Sequence, residues 1–207
     1  MATFVIPQSR TLLFVPSKCG SRYFQTRGYS FQPWDFSTVS SWRTIAVVRD
    51  PLHRFISSLM RQVFDPVLPG ELGEWSDSSG VLIADFLNSR HYNWRANPVV
   101  ATEEFVFKCL PQILAQPLPD THFEPQVRTW QFDGAPTIHI QHWVRMVNLS
   151  SAAHVLLGIT PSAPENKRDV WPCSASSTQL LTPRVTGALE EIYAEDFRMW
   201  RSLPHDA

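Results

Sequence analysis

The stretch Leu12-Leu13-Phe14-Val15-Pro16-Ser17-Lys18-Cys19-Gly20-Ser21-Arg22 decides how this chain is read. An apolar run stops abruptly at small, basic and hydroxyl residues, which is the pattern of a buried strand delivered into a loop. A strand that ends in Lys-x-Gly-Ser and then turns helical is suited to holding an anion. The loop offers backbone N–H groups, the helix its positive end, and Lys18 a full charge. A second run repeats the device: Ile45-Ala46-Val47-Val48-Arg49-Asp50-Pro51-Leu52-His53-Arg54-Phe55-Ile56-Ser57-Ser58. Arg49 and Ser57 stand eight residues apart, a spacing that returns to nearly the same face of a helix. A guanidinium and a hydroxyl brought together suit a phosphate monoester. Two such devices in one sheet fit a ligand with two separated anionic groups.

The rest of the chain sets limits on that reading. At 207 residues, with 43% apolar and 12% aromatic residues, it is expected to fold as a single domain with a substantial core. A net charge of -1 argues against nucleic-acid or anionic-membrane partners, so any anion site must be local. Lys18, Arg22, Arg27, Arg49 and Arg54 supply the local charge. Cys19, Cys109 and Cys173 form no CxxC pair, which argues against a structural zinc site or a disulfide framework. There is no membrane-length apolar run, and Met1 to Arg10 lacks the pattern of a secretion signal. A soluble, cytoplasmic setting is the expectation.

Periodicity predicts the elements in outline. Strands are expected over 11–16, 44–48 and 136–140. Helices are expected over 20–28, 51–63, 80–88, 100–115 with a kink or end at Pro111, and 142–150. The run 154–159 reads equally as strand or buried turn, and 64–80 and 160–179 read as loops. Thr182 caps a last helix whose apolar stripe runs through Val185, Leu189, Ile192, Tyr193, Phe197 and Trp200. Strands alternating with helices imply an α/β class, with a central, mainly parallel sheet flanked by helices.

The first loop lacks the spaced first glycine of GxxxxGK[ST], so use of ATP or GTP is not implied. A thiol phosphatase would need an arginine six residues after its cysteine, and that position is Gln25. Cys19 therefore reads as a small residue in a tight turn. His139 and His142 form a weak pair whose plainer reading is structural. No metal-ligand cluster is seen.

Taken together, the two motifs resemble the sulfotransferases that use 3′-phosphoadenosine 5′-phosphosulfate (PAPS), and most of all the carbohydrate sulfotransferase branch. That branch's second motif, V-V-R-D-P-x-x-R-x-x-S, is matched at each marked position from Val47 to Ser57. Its first motif, near P-K-x-G-[ST], is similar to Pro16-Ser17-Lys18-Cys19-Gly20-Ser21, with one extra residue between proline and lysine. A third segment, Asp120-Thr121-His122-Phe123-Glu124-Pro125-Gln126, resembles D-x-H-W-x-P-Q with Phe123 in place of tryptophan. The segment from Leu181 to Phe197 looks like the family's closing helix.

The resemblance implies a P-loop-like sulfotransferase fold and a set of roles. Lys18, Cys19, Gly20, Ser21 and Arg22 would hold the 5′-phosphosulfate, with Lys18 near the bridging oxygen. Arg49 and Ser57 would bind the 3′-phosphate. Lys167 and Arg168 would belong to a late loop closing over the nucleotide. The donor would be PAPS, with no metal, and the acceptor a hydroxyl, expected on a glycan. The acceptor needs a general base. Relatives with a histidine before the second strand have no counterpart here, since 28–43 contains none. His122 is the chosen base, with His53, Glu103, Glu104 and Glu124 as alternatives. Trp34, Trp75, Tyr92, Trp94 and Trp130 could stack on a sugar ring, or could simply pack. Two other readings stay open, a P-loop-type nucleotide kinase or hydrolase and a non-catalytic nucleotide-binding relative.

Overall fold

The computed structural model describes residues 2–30, 41–64, 78–88, 96–117, 119–130, 138–160 and 175–204. It divides into two compact units, one of residues 1–50, 125–167 and 195–207, the other of 51–124 and 168–194.

The first unit is built on a four-stranded sheet in the order β1-β2-β3-β4. Strands β2 (Thr11–Val15) and β3 (Arg43–Val48) run parallel, with Leu12 opposite Thr44. Strand β4 (His142–Arg145) continues the parallel set, with Ile45 opposite His142. Strand β1 (Ala2–Ile6) pairs antiparallel on the other edge, with Phe4 opposite Leu13. The fold is therefore mixed α/β with a mostly parallel sheet.

Alternation along each strand sends residues to opposite faces, and both faces are covered. Leu13, Val15, Ile45 and Val47 pack with Tyr23 and Phe24 of helix α1 (Ser21–Gln25) and with Leu149 and Ala153 of a later helix. Leu12, Phe14, Ala46 and Val48 pack with Val127, Trp130, Ile138 and Ile140. A strand buried on both sides must be apolar at every position, which explains the unbroken runs at 12–15 and 45–48.

Several expected elements differ. Of the strand expected over 136–140, residues 138–140 have no regular structure and 136–137 lie outside the described residues; a strand lies at His142–Arg145, where a helix was expected. Pairing with β3 begins at Gln141, whose N–H donates to the Thr44 carbonyl at 3.1 Å. Ile138 and Ile140 are buried against the sheet without belonging to it. The edge strand itself, with His142 exposed and Val144 buried, carries only a weak apolar pattern. The expected 142–150 helix begins later, at Leu149. It runs to Leu157 and ends at Gly158 with φ of 69°, so most of 154–159 is neither strand nor buried turn. Strand β1 was not read from the sequence at all.

The second unit is helical. Helix α2 (Pro51–Gln62) follows β3 as expected and buries Phe55, Ile56, Leu59 and Met60. Helix α3 spans Ser78–Asn88. The expected 100–115 helix is three pieces: α4 (Pro98–Glu104), a π turn (Phe105–Cys109) and α5 (Leu110–Leu114). Pro111 has no N–H to offer the preceding turn, and the Leu110 N–H reaches back five residues, to the Phe105 carbonyl. Phe105 centres an aromatic cluster, with ring centroids 5.1 Å from Phe123, 5.6 Å from Phe86 and 6.4 Å from Phe55.

In order along the chain the remaining helices are α6 (Leu149–Leu157) in the first unit, then α7 (Ser177–Leu180) and α8 (Pro183–Ile192) in the second. Thr182 caps α8 through its hydroxyl, as expected. The single closing helix is broken at Tyr193, and α9 (Ala194–Ser202) follows. The Tyr193 hydroxyl donates to the Phe123 carbonyl at 2.8 Å. Among the described residues no helix is long and apolar enough to cross a membrane.

Candidate functional site

In the first unit the chain leaves β2 into a tight loop. The Cys19 N–H closes a turn on the Pro16 carbonyl at 3.0 Å. Lys18 adopts φ of 65° and Gly20 φ of 94°. A left-handed lysine costs about 1–2 kcal/mol, and strain of this kind collects at binding loops. A Cβ on Gly20 would lie 2.6 Å from Leu149 Cδ2. Gly20→Ala is therefore expected to lose about 2–3 kcal/mol, from left-handed strain plus displacement of a buried leucine. Urea unfolding checks this, and a loss below about 0.5 kcal/mol would contradict the tight loop.

Helix α1 is five residues long rather than the expected 20–28, and the chain turns again at Gly28 with φ of 80°. A helix this short contributes its first N–H groups more than a long dipole. The Tyr23 N–H is bonded to the Gly20 carbonyl at 3.0 Å, and the amides of Ser21 and Arg22 stand ahead of it. Lys18 and Ser21 are half-buried and Arg22 is exposed. Arg27 instead lies 3.8 Å over the Tyr23 ring, a packing role.

The tip of β3 meets this loop. Arg49 Nη1 donates to the Lys18 carbonyl at 3.0 Å, so the loop after β3 is bonded to the loop after β2. Gln126, fully buried, holds this junction from behind. Its Oε1 accepts the Arg49 N–H at 2.9 Å and its Nε2 donates to the Arg49 carbonyl at 2.8 Å. The same Oε1 lies 3.2 Å from Cys19 Sγ. The Cys19 thiol is thus turned into the core. Gln126 is in turn fixed by buried Asp196, whose carboxylate accepts the N–H groups of Gln126 at 2.8 Å and Val127 at 3.0 Å.

In the second unit, Ser57 is half-buried on α2 and His53 is exposed. Arg54 is only 3% exposed, and its Nη2 donates to the Thr121 carbonyl at 2.9 Å, which makes it a clamp. Buried Ser58 places its hydroxyl 2.7 Å from the His122 carbonyl. His122 Nδ1 lies 2.8 Å from Asp120 Oδ1. Two of the alternative bases are engaged elsewhere: Glu103 with Thr182 at 3.0 Å and Glu104 with Lys108 at 2.8 Å.

The structure thus gathers Lys18, Cys19, Gly20, Ser21, Arg22 and Arg49 within the first unit, and places Ser57 and His122 within the second. Lys167, Arg168, Trp34, Trp75, Tyr92 and Trp94 lie outside the described residues. Trp130 is buried edge-on against Trp143, with centroids 5.2 Å apart, and packs rather than stacks. His139 and His142 are exposed, and no described group of three or more His, Cys, Asp or Glu could hold a metal ion.

The supporting roles of Asp120, Gln126, Ser58 and Asp196 were missed from sequence. Their signal was polar residues beside apolar ones, which does not say where each side chain turns. Compared with protein-family models, curated proteins and solved structures, the chain matches none.

Proposed function

We propose that this protein is a sulfotransferase with a P-loop-like fold that moves a sulfuryl group from PAPS to a hydroxyl acceptor on a carbohydrate. The observation that carries the reading is the Arg49 guanidinium resting 3.0 Å from the Lys18 carbonyl. It joins the loops that follow two parallel strands, each of which carries a cationic residue, and open α/β sheets take ligands at the carboxyl ends of their strands. A nucleotide with acidic groups at both ends suits such a pair of loops, since one charge can go to each.

In this reading Lys18, with the amides and side chains of Ser21 and Arg22, takes the 5′-phosphosulfate. Arg49 takes the 3′-phosphate, and Ser57, Lys167 and Arg168 are the further nucleotide-binding residues that the resemblance implies. Sulfuryl transfer passes SO3 in line between two oxygens. Charge builds on the leaving phosphate oxygen, where a fixed ammonium and N–H dipoles stabilise the transition state most. The work is positioning and electrostatics, as in phosphoryl transfer. His122 takes the acceptor proton. A cytoplasmic setting belongs to the same proposal, as the expectation drawn from the sequence.

Calorimetry with 3′-phosphoadenosine 5′-phosphate against ATP tests the reading. The native protein should prefer the first, without added metal. Arg49→Ala should weaken that binding by about 2–4 kcal/mol, as for a lost charged partner. Equal affinity in native protein and Arg49→Ala would remove the 3′-phosphate assignment, and no preference over ATP would remove the function.

A further inference from the structure

We propose that Asp120 is a positioning residue that sets which ring nitrogen of His122 carries the proton. Its catalytic consequence rests on the sulfuryl-transfer reading, but its geometry does not. Asp120 Oδ1 lies 2.8 Å from His122 Nδ1 and accepts the His122 backbone N–H at 2.8 Å as well. A carboxylate oxygen only accepts, so Nδ1 bears the hydrogen and the lone pair sits on Nε2. The Asp120 side chain is 9% exposed while that of His122 is 33% exposed. The acceptor carboxylate is thus sheltered and the imidazole is still reachable. No hydrogen bond involves Nε2 among the described residues.

The main chain on each side of the ring is also fixed. Arg54 Nη2 holds the Thr121 carbonyl at 2.9 Å, and Ser58 Oγ lies 2.7 Å from the His122 carbonyl. Both anchors come from α2. The main chain that carries the imidazole is thus pinned on both sides, and Asp120 holds the ring itself through Nδ1.

The chemical consequence follows directly. The acceptor O–H gives its proton to Nε2 as the new O–S bond forms and the S–O bond to the 5′-phosphate breaks. The products are a sulfated acceptor and 3′-phosphoadenosine 5′-phosphate, and the imidazolium later returns the proton to water. Asp120 holds the hydrogen on Nδ1 and so leaves the lone pair on Nε2. A free imidazole prefers its hydrogen on Nε2, the wrong state for a base.

The test combines nitrogen NMR of the imidazole with steady-state kinetics on the full chain. In the native protein His122 should show Nδ1–H. In Asp120→Ala it should revert to Nε2–H, and kcat should fall about a hundred- to ten-thousand-fold with the KM for PAPS unchanged. Asp120→Asn keeps an acceptor oxygen for both N–H groups, so it should keep the turn and the Nδ1–H state, with a smaller fall in kcat. Native His122 in the Nε2–H state, or an Nδ1–H state retained in Asp120→Ala, would overturn the proposal. If Asp120→Ala fails to fold, the native protein and Asp120→Asn decide it, and an Nε2–H imidazole in either would overturn the proposal. Absence of 3′-phosphoadenosine 5′-phosphate binding would sink the sulfuryl-transfer reading alone, because the NMR state is read without turnover.

Discussion

Gln126→Leu is expected to destabilise the protein by about 3–5 kcal/mol. Leucine keeps most of the volume, so the effect isolates hydrogen bonding from cavity formation. Three partners are abandoned: the N–H and C=O of Arg49 and the thiol of Cys19. Gln126 is fully buried, so little water can replace it. Each buried polar group left unmade costs about 1–3 kcal/mol. Gln126→Glu separates the two halves of the clamp. A carboxylate keeps the acceptor for the Arg49 N–H but sets a second oxygen against the Arg49 carbonyl. It should lose stability while leucine loses more of the loop's order. Chemical denaturation measures both, and a loss below about 1 kcal/mol for leucine would show that the clamp is ornamental. The same variants should weaken 3′-phosphoadenosine 5′-phosphate binding, since Arg49 would lose its fixed main chain.

On the proposed sulfuryl-transfer reading, Lys18→Ala is expected to lower turnover about a hundred- to a thousand-fold, the scale of losing one preorganised donor to developing charge. Nucleotide affinity should change far less. In that proposed reaction the bridging oxygen carries little extra charge in the bound donor and much more as the S–O bond breaks, so the lysine would act mainly on the barrier. Lys18→Arg should recover only part of the rate, since a planar fork cannot replace a compact ammonium at one oxygen. Stability should change little with alanine, because any side chain at φ of 65° bears the same left-handed strain. A comparison of kcat with the dissociation constant of 3′-phosphoadenosine 5′-phosphate checks this. A fall confined to affinity would make Lys18 a binding residue only.

The two strand-to-loop motifs were legible because each joins a long apolar run to a sudden polar stop, and both sit where expected, after β2 and β3. Thr182 as a cap and Pro111 as an interruption were also legible, since capping and the missing proline N–H are local effects. The edge strands were not. In β4 only Val144 is buried, and a strand paired with one neighbour among the described residues needs little apolar surface. The break at Tyr193 escaped notice because the apolar stripe continues through it, while the hydroxyl is drawn to Phe123, 70 residues away.

What the chain determined by itself was a doubly covered, mainly parallel sheet and the identity of its cationic loops, because runs of consecutive apolar residues can be satisfied only by burial on two sides. What the tertiary structure alone decided was the partnering of single polar groups: Arg49 on the Lys18 carbonyl, Gln126 between Arg49 and Cys19, and Asp120 on His122. A hydrogen bond depends on distances of a few tenths of an ångström between groups often far apart in sequence, and residue order carries no such distances.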